Sequence, residues 1–87
     1  MPFIGMDPES AKALAAKMSK TAETINQAVA QLTSAVDGVN WKGPDAERFK
    51  QEWKSNCVPA VKKVAEVLTS NGAKLNKEAD EQVNTSK

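Results

Sequence analysis

Any chemistry in this chain would have to begin at Cys57, the lone thiol among 87 residues that include no histidine. A thiol becomes a useful nucleophile when a nearby base or cation raises its thiolate fraction, and here no imidazole can serve. One Cys and no His also make a structural metal site improbable, and they exclude a disulfide network. The acids Glu47 and Glu52 read as solvated surface groups rather than general acids or bases. The expectation is a protein with no catalytic residue, no cofactor and no metal.

The remaining side chains of note are aromatic. Phe49 and Trp53 stand one helical turn apart, a spacing that predicts core packing rather than ligand binding. Cys57 follows one turn later and is expected to be buried as a small hydrophobe, with a reactive thiol or an intermolecular disulfide as alternatives.

Two long helical periodicities must position these groups. The first starts at Asp7-Pro8-Glu9-Ser10, where Asp7 can cap, Pro8 fits the first turn and Glu9 complements the helix dipole. Ala11, Met18, Ile25, Leu32 and Val39 then recur every seven residues. Leu14, Thr21, Ala28 and Ala35 form a second row, and Ala15, Ala22, Val29 and Val36 a flanking third that widens the stripe beyond a two-stranded seam. Lys12, Lys17, Lys20, Glu23, Gln27 and Gln31 occupy the solvated side. Asp37-Gly38 is the expected stop, giving a helix over about 8–38.

The second helix is expected over about 44–81, with Ala46, Phe49, Trp53, Cys57, Ala60, Val64, Leu68, Leu75 and Ala79 inward and Val61 and Val67 widening that side. Its spacing wanders between three and four, which predicts a drifting seam with no strict supercoil. Pro59 removes a backbone hydrogen bond and crowds the carbonyl of Ser55, so a kink or a cost of ~3 kcal/mol is expected there. Asn71-Gly72 is either a stop or a weak point costing ~1 kcal/mol; Leu75 and Ala79 keep the phase and favour continuation. A frayed tail is expected over 82–87.

Between the helices stands Asn40-Trp41-Lys42-Gly43, read as a turn over 40–43. A glycine can take positive φ at a chain reversal, Trp41 can fill the wedge where the helices diverge, and Pro44 suits the first helical position. The whole chain, 1–87, is thus expected to be one all-α domain, an antiparallel helix-turn-helix hairpin.

Size and charge narrow the function classes. A single core is marginal at this length, so self-association or a partner chain is expected to supplement it, and two hairpins packed antiparallel would make a four-helix bundle. The core or dimer stripe would be built from Leu14, Met18, Ile25, Val29, Leu32, Val36, Phe49, Trp53, Val64 and Leu68. Twelve basic and eleven acidic residues are interspersed, without the clustered basic face that nucleic acid requires. No apolar stretch approaches the roughly 20 residues of a membrane span. Met1-Pro2-Phe3-Ile4-Gly5-Met6-Asp7 lacks the basic start and apolar stretch of a signal peptide. Composition alone reads as cytoplasmic.

Trp41 and Gly43 midway between two helical segments of similar size, together with the run Gly43-Pro44-Asp45-Ala46-Glu47-Arg48-Phe49 and Trp53, make the whole chain resemble the WXG family. These are small proteins exported by ESX, or type VII, secretion systems of Gram-positive and actinobacterial cells. The resemblance implies a protein secreted folded and without a cleaved leader, associated with virulence or interbacterial competition. It implies as partners a second copy or a similar chain, the type VII export ATPase and a larger toxin or effector, with Trp41 and Gly43 as part of the surface that the export machinery reads. Many members, or their partners, carry a Tyr followed four residues later by an acid after the second helix. This chain has no Tyr, which leaves a partner chain, a cargo or another element of this chain as the source of that signal. Two other classes remain open: an intracellular helical adaptor that masks a toxin, and a membrane-active protein. The Ala- and Val-rich, nearly neutral stripe speaks against the latter.

Overall fold

The computed structural model describes residues 6–85. Among them 91% are helical and none is in a strand. Helix α1 spans Pro8–Gly38, α2 spans Pro44–Glu52, a π-helical turn spans Trp53–Cys57 and α3 spans Val58–Thr85. Glu52 and Val58, which flank the π-turn, both keep right-handed helical backbone angles, as does Trp53 at its start. From Pro44 to Thr85 the chain is therefore one uninterrupted rod. At about 1.5 Å per residue that rod comes to about 63 Å, in line with the molecule's long axis of 67 Å against 16 × 15 Å across. Its radius of gyration, 19.4 Å, compares with about 12 Å for a compact domain of this size.

The two long helices lie antiparallel and meet along a seam of small side chains. Ala11, Ala15, Ala22 and Val29 of α1 are buried against Ala65 and Ala79 of α3 and the equally buried Gly72. Half-buried Met18, Ile25 and Val36 fill the intervals on α1, and Val58, Val61, Leu68 and Leu75 those on α3. Small residues bring the helices close: a Cβ on Gly72 would stand 3.1 Å from the Ala15 carbonyl oxygen. Gly72 is thus a point of closest approach, and its cost in helix propensity is offset by the packing it permits.

Several expectations change. On α1 the inward rows are those of Ala11 and Ala15; the Leu14, Thr21, Ala28 and Ala35 row is exposed, with Leu14 at 51%. The third row replaces it because Ala15 and Ala22 let α3 come closer than leucine would. On α3 the inward positions Val58, Val61, Ala65, Leu68, Gly72, Leu75 and Ala79 alternate steps of three and four without drift. Cys57, Ala60, Val64 and Val67, expected inside, are exposed.

The π-turn is the reason. The Val58 N–H donates to the Trp53 carbonyl, five residues back, which inserts one extra residue into the helix and rotates everything after it. Continuing the regular period from Trp53 leads to Cys57 and Ala60; the inserted residue shifts the inward face to Val58 and Val61. The turn also lies where Pro59 withholds an N–H and crowds the Ser55 carbonyl, so the helix answers the proline by widening. At the ends, Asp7 sits at the N-cap but its carboxylate accepts from the Ser10 hydroxyl at 2.6 Å rather than from a backbone N–H. Helix α3 runs past Glu81 to Thr85, so residues 82–85 of the expected tail are helical; the last two positions lie outside the described residues.

Candidate functional site at the hairpin tip

Helix α2 extends past the end of α1, and the link over residues 39–43 folds back against it. Val39 is extended at φ −68°, ψ 137°, and the Trp41 N–H donates to the Val39 carbonyl at 3.0 Å, a tight three-residue turn. Gly43 follows at φ 115°, ψ 173°, a region that glycine alone occupies freely. A Cβ there would touch nothing within 4 Å. The demand for glycine is conformational, set by the backbone angle and not by a neighbour. The Gly43 carbonyl then accepts the Glu47 N–H at 3.1 Å, and Pro44 at the first helical position with Asp45 and Glu47 in the first turn complete a favourable helix start.

This geometry places Trp41 beside Phe49, ring centroids 5.8 Å apart and planes tilted by 52°. Both rings stay open, Trp41 at 43% and Phe49 at 50% exposure. Only Ala46, one turn into α2, is fully covered. Phe49 was expected in the core and instead stands at the tip surface, because α1 ends before it could cover that ring.

Trp53 is the anchor between tip and stem. Half-buried, it donates its indole N–H to Thr33 Oγ1 at 3.0 Å, while the Thr33 hydroxyl donates to the Val29 carbonyl at 2.8 Å. One residue further, Lys54 Nζ meets Asp37 at 2.8 Å. Together these bind the π-turn to the last turns of α1. Sequence reasoning missed Thr33 and the π-turn; Pro59 was the available signal for the second, and a threonine four residues after an inward valine hints at the first. An exposed pair, Arg48 with Asp45 at 3.0 Å, adds little in solvent.

The remaining stripe residues divide by flank. Val29 is buried and Met18, Ile25, Val36 and Leu68 are half-buried in the seam, whereas Leu14, Leu32 and Val64 are about half exposed. A groove of about 930 Å³ runs between the helices over Val29 and Ala65, edged by Thr33, Lys62, Glu66 and Thr69. Cys57 is a free, exposed thiol on the π-turn; the inserted residue moved it off the inner face. Among the described residues, no three His, Cys, Asp or Glu side chains group as metal ligands, and no helix is long and apolar enough to cross a membrane.

Comparison with known proteins adds no relative: no family model matches the chain, and neither a curated protein nor a solved structure does.

Proposed function

We propose that this protein is a small type VII secretion substrate, or the secretion partner of a larger one, handled by the export machinery as a folded helical dimer. The observation that carries the reading is the tip: Gly43, in a backbone region essentially restricted to glycine, turns the chain so that Trp41 is held against Phe49 and yet presented to solvent. A Trp-x-Gly turn that served packing alone would bury its ring. Exposed apolar rings at the end of a 67 Å rod suit a surface read by another protein. The dimer, a four-helix bundle made with a second copy or a similar chain, would cover side chains that the hairpin leaves open, Leu14, Leu32 and Val64 among them.

The test is export. The tagged protein is followed in culture medium of a host with and without its type VII ATPase, beside a cytoplasmic lysis marker. Appearance that depends on the ATPase, and that falls at least tenfold for Trp41→Ala or Gly43→Ala once normalised to the intracellular level of each variant, is the expected result. Retention in the cell in every strain would overturn the reading in favour of an intracellular adaptor.

A further inference from the structure

The second half of the chain carries two apolar sets one residue apart. Val58, Val61, Ala65 and Leu68 turn toward α1, and Cys57, Ala60, Val64 and Val67, each one place earlier, stand exposed. Both sets run between the same two fixed points. At one end the Trp53 indole holds Thr33 at 3.0 Å; at the other Gly72 lies against α1, where an added Cβ would stand 3.1 Å from the Ala15 carbonyl oxygen. From Trp53 to Gly72 the inward path takes steps of five, three, four, three and four residues, the step of five being the π-turn. Through the exposed set the same two points are joined by steps of four, three, four, three and five. The second path is the first with the inserted residue moved from before the block to after it.

We propose that the π-turn is movable and works as a one-residue register switch: relocated from Trp53–Cys57 to residues 67–71, it turns Cys57, Ala60, Val64 and Val67 inward while Trp53 and Gly72 keep their places. The segment between them rotates by about 100°. Packing permits this because the sets nearly match in size, Cys57 for Val58, Ala60 for Val61, Val64 for Ala65 and Val67 for Leu68, and volume-conserving exchanges are those a core tolerates best. The rotation brings Val61 into the place of Lys62 and Leu68 into that of Thr69, both on the rim of the groove of about 930 Å³. Exposed apolar surface thereby passes from one side of the rod to the other. The shift is confined, since beyond Gly72 the row one place earlier is Asn71, Lys74 and Glu78, and burying these in the seam would be costly. Pro59, two residues past the π-turn, sets the resting register, because a regular helix there would press its ring on the Ser55 carbonyl. A partner that covers one side of the rod better than the other selects the register that presents apolar surface to it.

Moving the proline tests the switch. Accessibility is read as the rate of alkylation by iodoacetamide, in which the thiolate displaces iodide, relative to the rate for the same chain unfolded in urea. The reporters are the native Cys57 and, in a second chain, Val58→Cys combined with Cys57→Ser. Each is measured with Pro59 in place, in Pro59→Ala, and in Pro59→Ala with Ala73→Pro, which sets a proline two residues past the second position of the turn; circular dichroism verifies helicity. With Pro59 in place, Cys57 should react at least fivefold faster than the thiol at position 58. Removing Pro59 should slow Cys57 and quicken position 58, and moving the proline should invert their order. If Ala73→Pro does not fold, Pro59→Ala decides alone. Unchanged rates at both positions in every helical variant would overturn the proposal, because the packing of α1 and not the proline would then fix the turn. A quickened position 58 with no slowing of Cys57 would also overturn it, as the mark of a segment that frays without a second packing.

Discussion

The stem and the tip of this hairpin are held by opposite means. Along the stem, α1 and α3 approach over Ala11, Ala15, Ala22, Ala65, Gly72 and Ala79, and stability comes from having little side chain in the way. At the tip the backbone turns tightly over residues 39–41 and takes positive φ at Gly43, and large side chains are fixed by directed contacts: Trp41 on Phe49, Trp53 on Thr33, Lys54 on Asp37. The difference teaches where each part is vulnerable. The stem should fail when volume is added; the tip should fail when an angle or a donor is removed, with a smaller loss of stability and a larger loss of presented surface.

The sharpest way to break the stem is Gly72→Ile. Its Cβ alone would sit 3.1 Å from a backbone oxygen, and overpacking of this kind costs about 3 kcal/mol, measured by urea unfolding at fixed protein concentration. A cost under about 1 kcal/mol would mean that the helices separate freely and that the close seam is not what holds them. Next comes the tip backbone. Gly43→Ala should lose about 2 kcal/mol from its unfavourable backbone angle although its methyl meets no neighbour; an unchanged midpoint would show that the turn relaxes to ordinary angles.

Trp53→Phe keeps an aromatic ring but removes the indole donor and the packing of the five-membered ring, so it should cost at least about 1 kcal/mol and leave the Thr33 oxygen without its indole donor. Pairing it with Thr33→Val in a double-mutant cycle separates the hydrogen bond from the packing; additive losses would show no coupling. The smallest effect belongs to Lys54→Ala. Its ion pair with Asp37 is about half exposed on both sides, so the loss should stay within about 0.5 kcal/mol and shrink further in added salt.

Much of the fold was legible because helical periodicity and terminators are local. The heptad rows of α1, Pro8 at its start, Gly38 at its end, Gly43-Pro44 at the second start and the phase kept through Leu75 and Ala79 all act within a turn or two of chain. The choice between neighbouring apolar rows was not local. Leu14 and Ala15 are both acceptable on an inward face until α3 is present, and only its close approach selects alanine. Trp41 and Gly43 were legible as a turn; the openness of both tip rings was not, because it depends on α1 ending short of them.

Sequence by itself determined that this chain is two long amphipathic helices around a glycine turn, since propensity, capping and periodicity are properties of neighbouring residues. Tertiary structure decided the rest. Packing α1 against α3 selected the small-residue seam and gave Gly72 its place as a contact point. The single residue inserted at the π-turn, where Pro59 denies the regular hydrogen bond, decided which of two apolar stripes on the second helix turns inward. One stripe closes the hairpin, and the other, bearing Cys57 and Val64, faces outward because a helix can present only one face to a single neighbour.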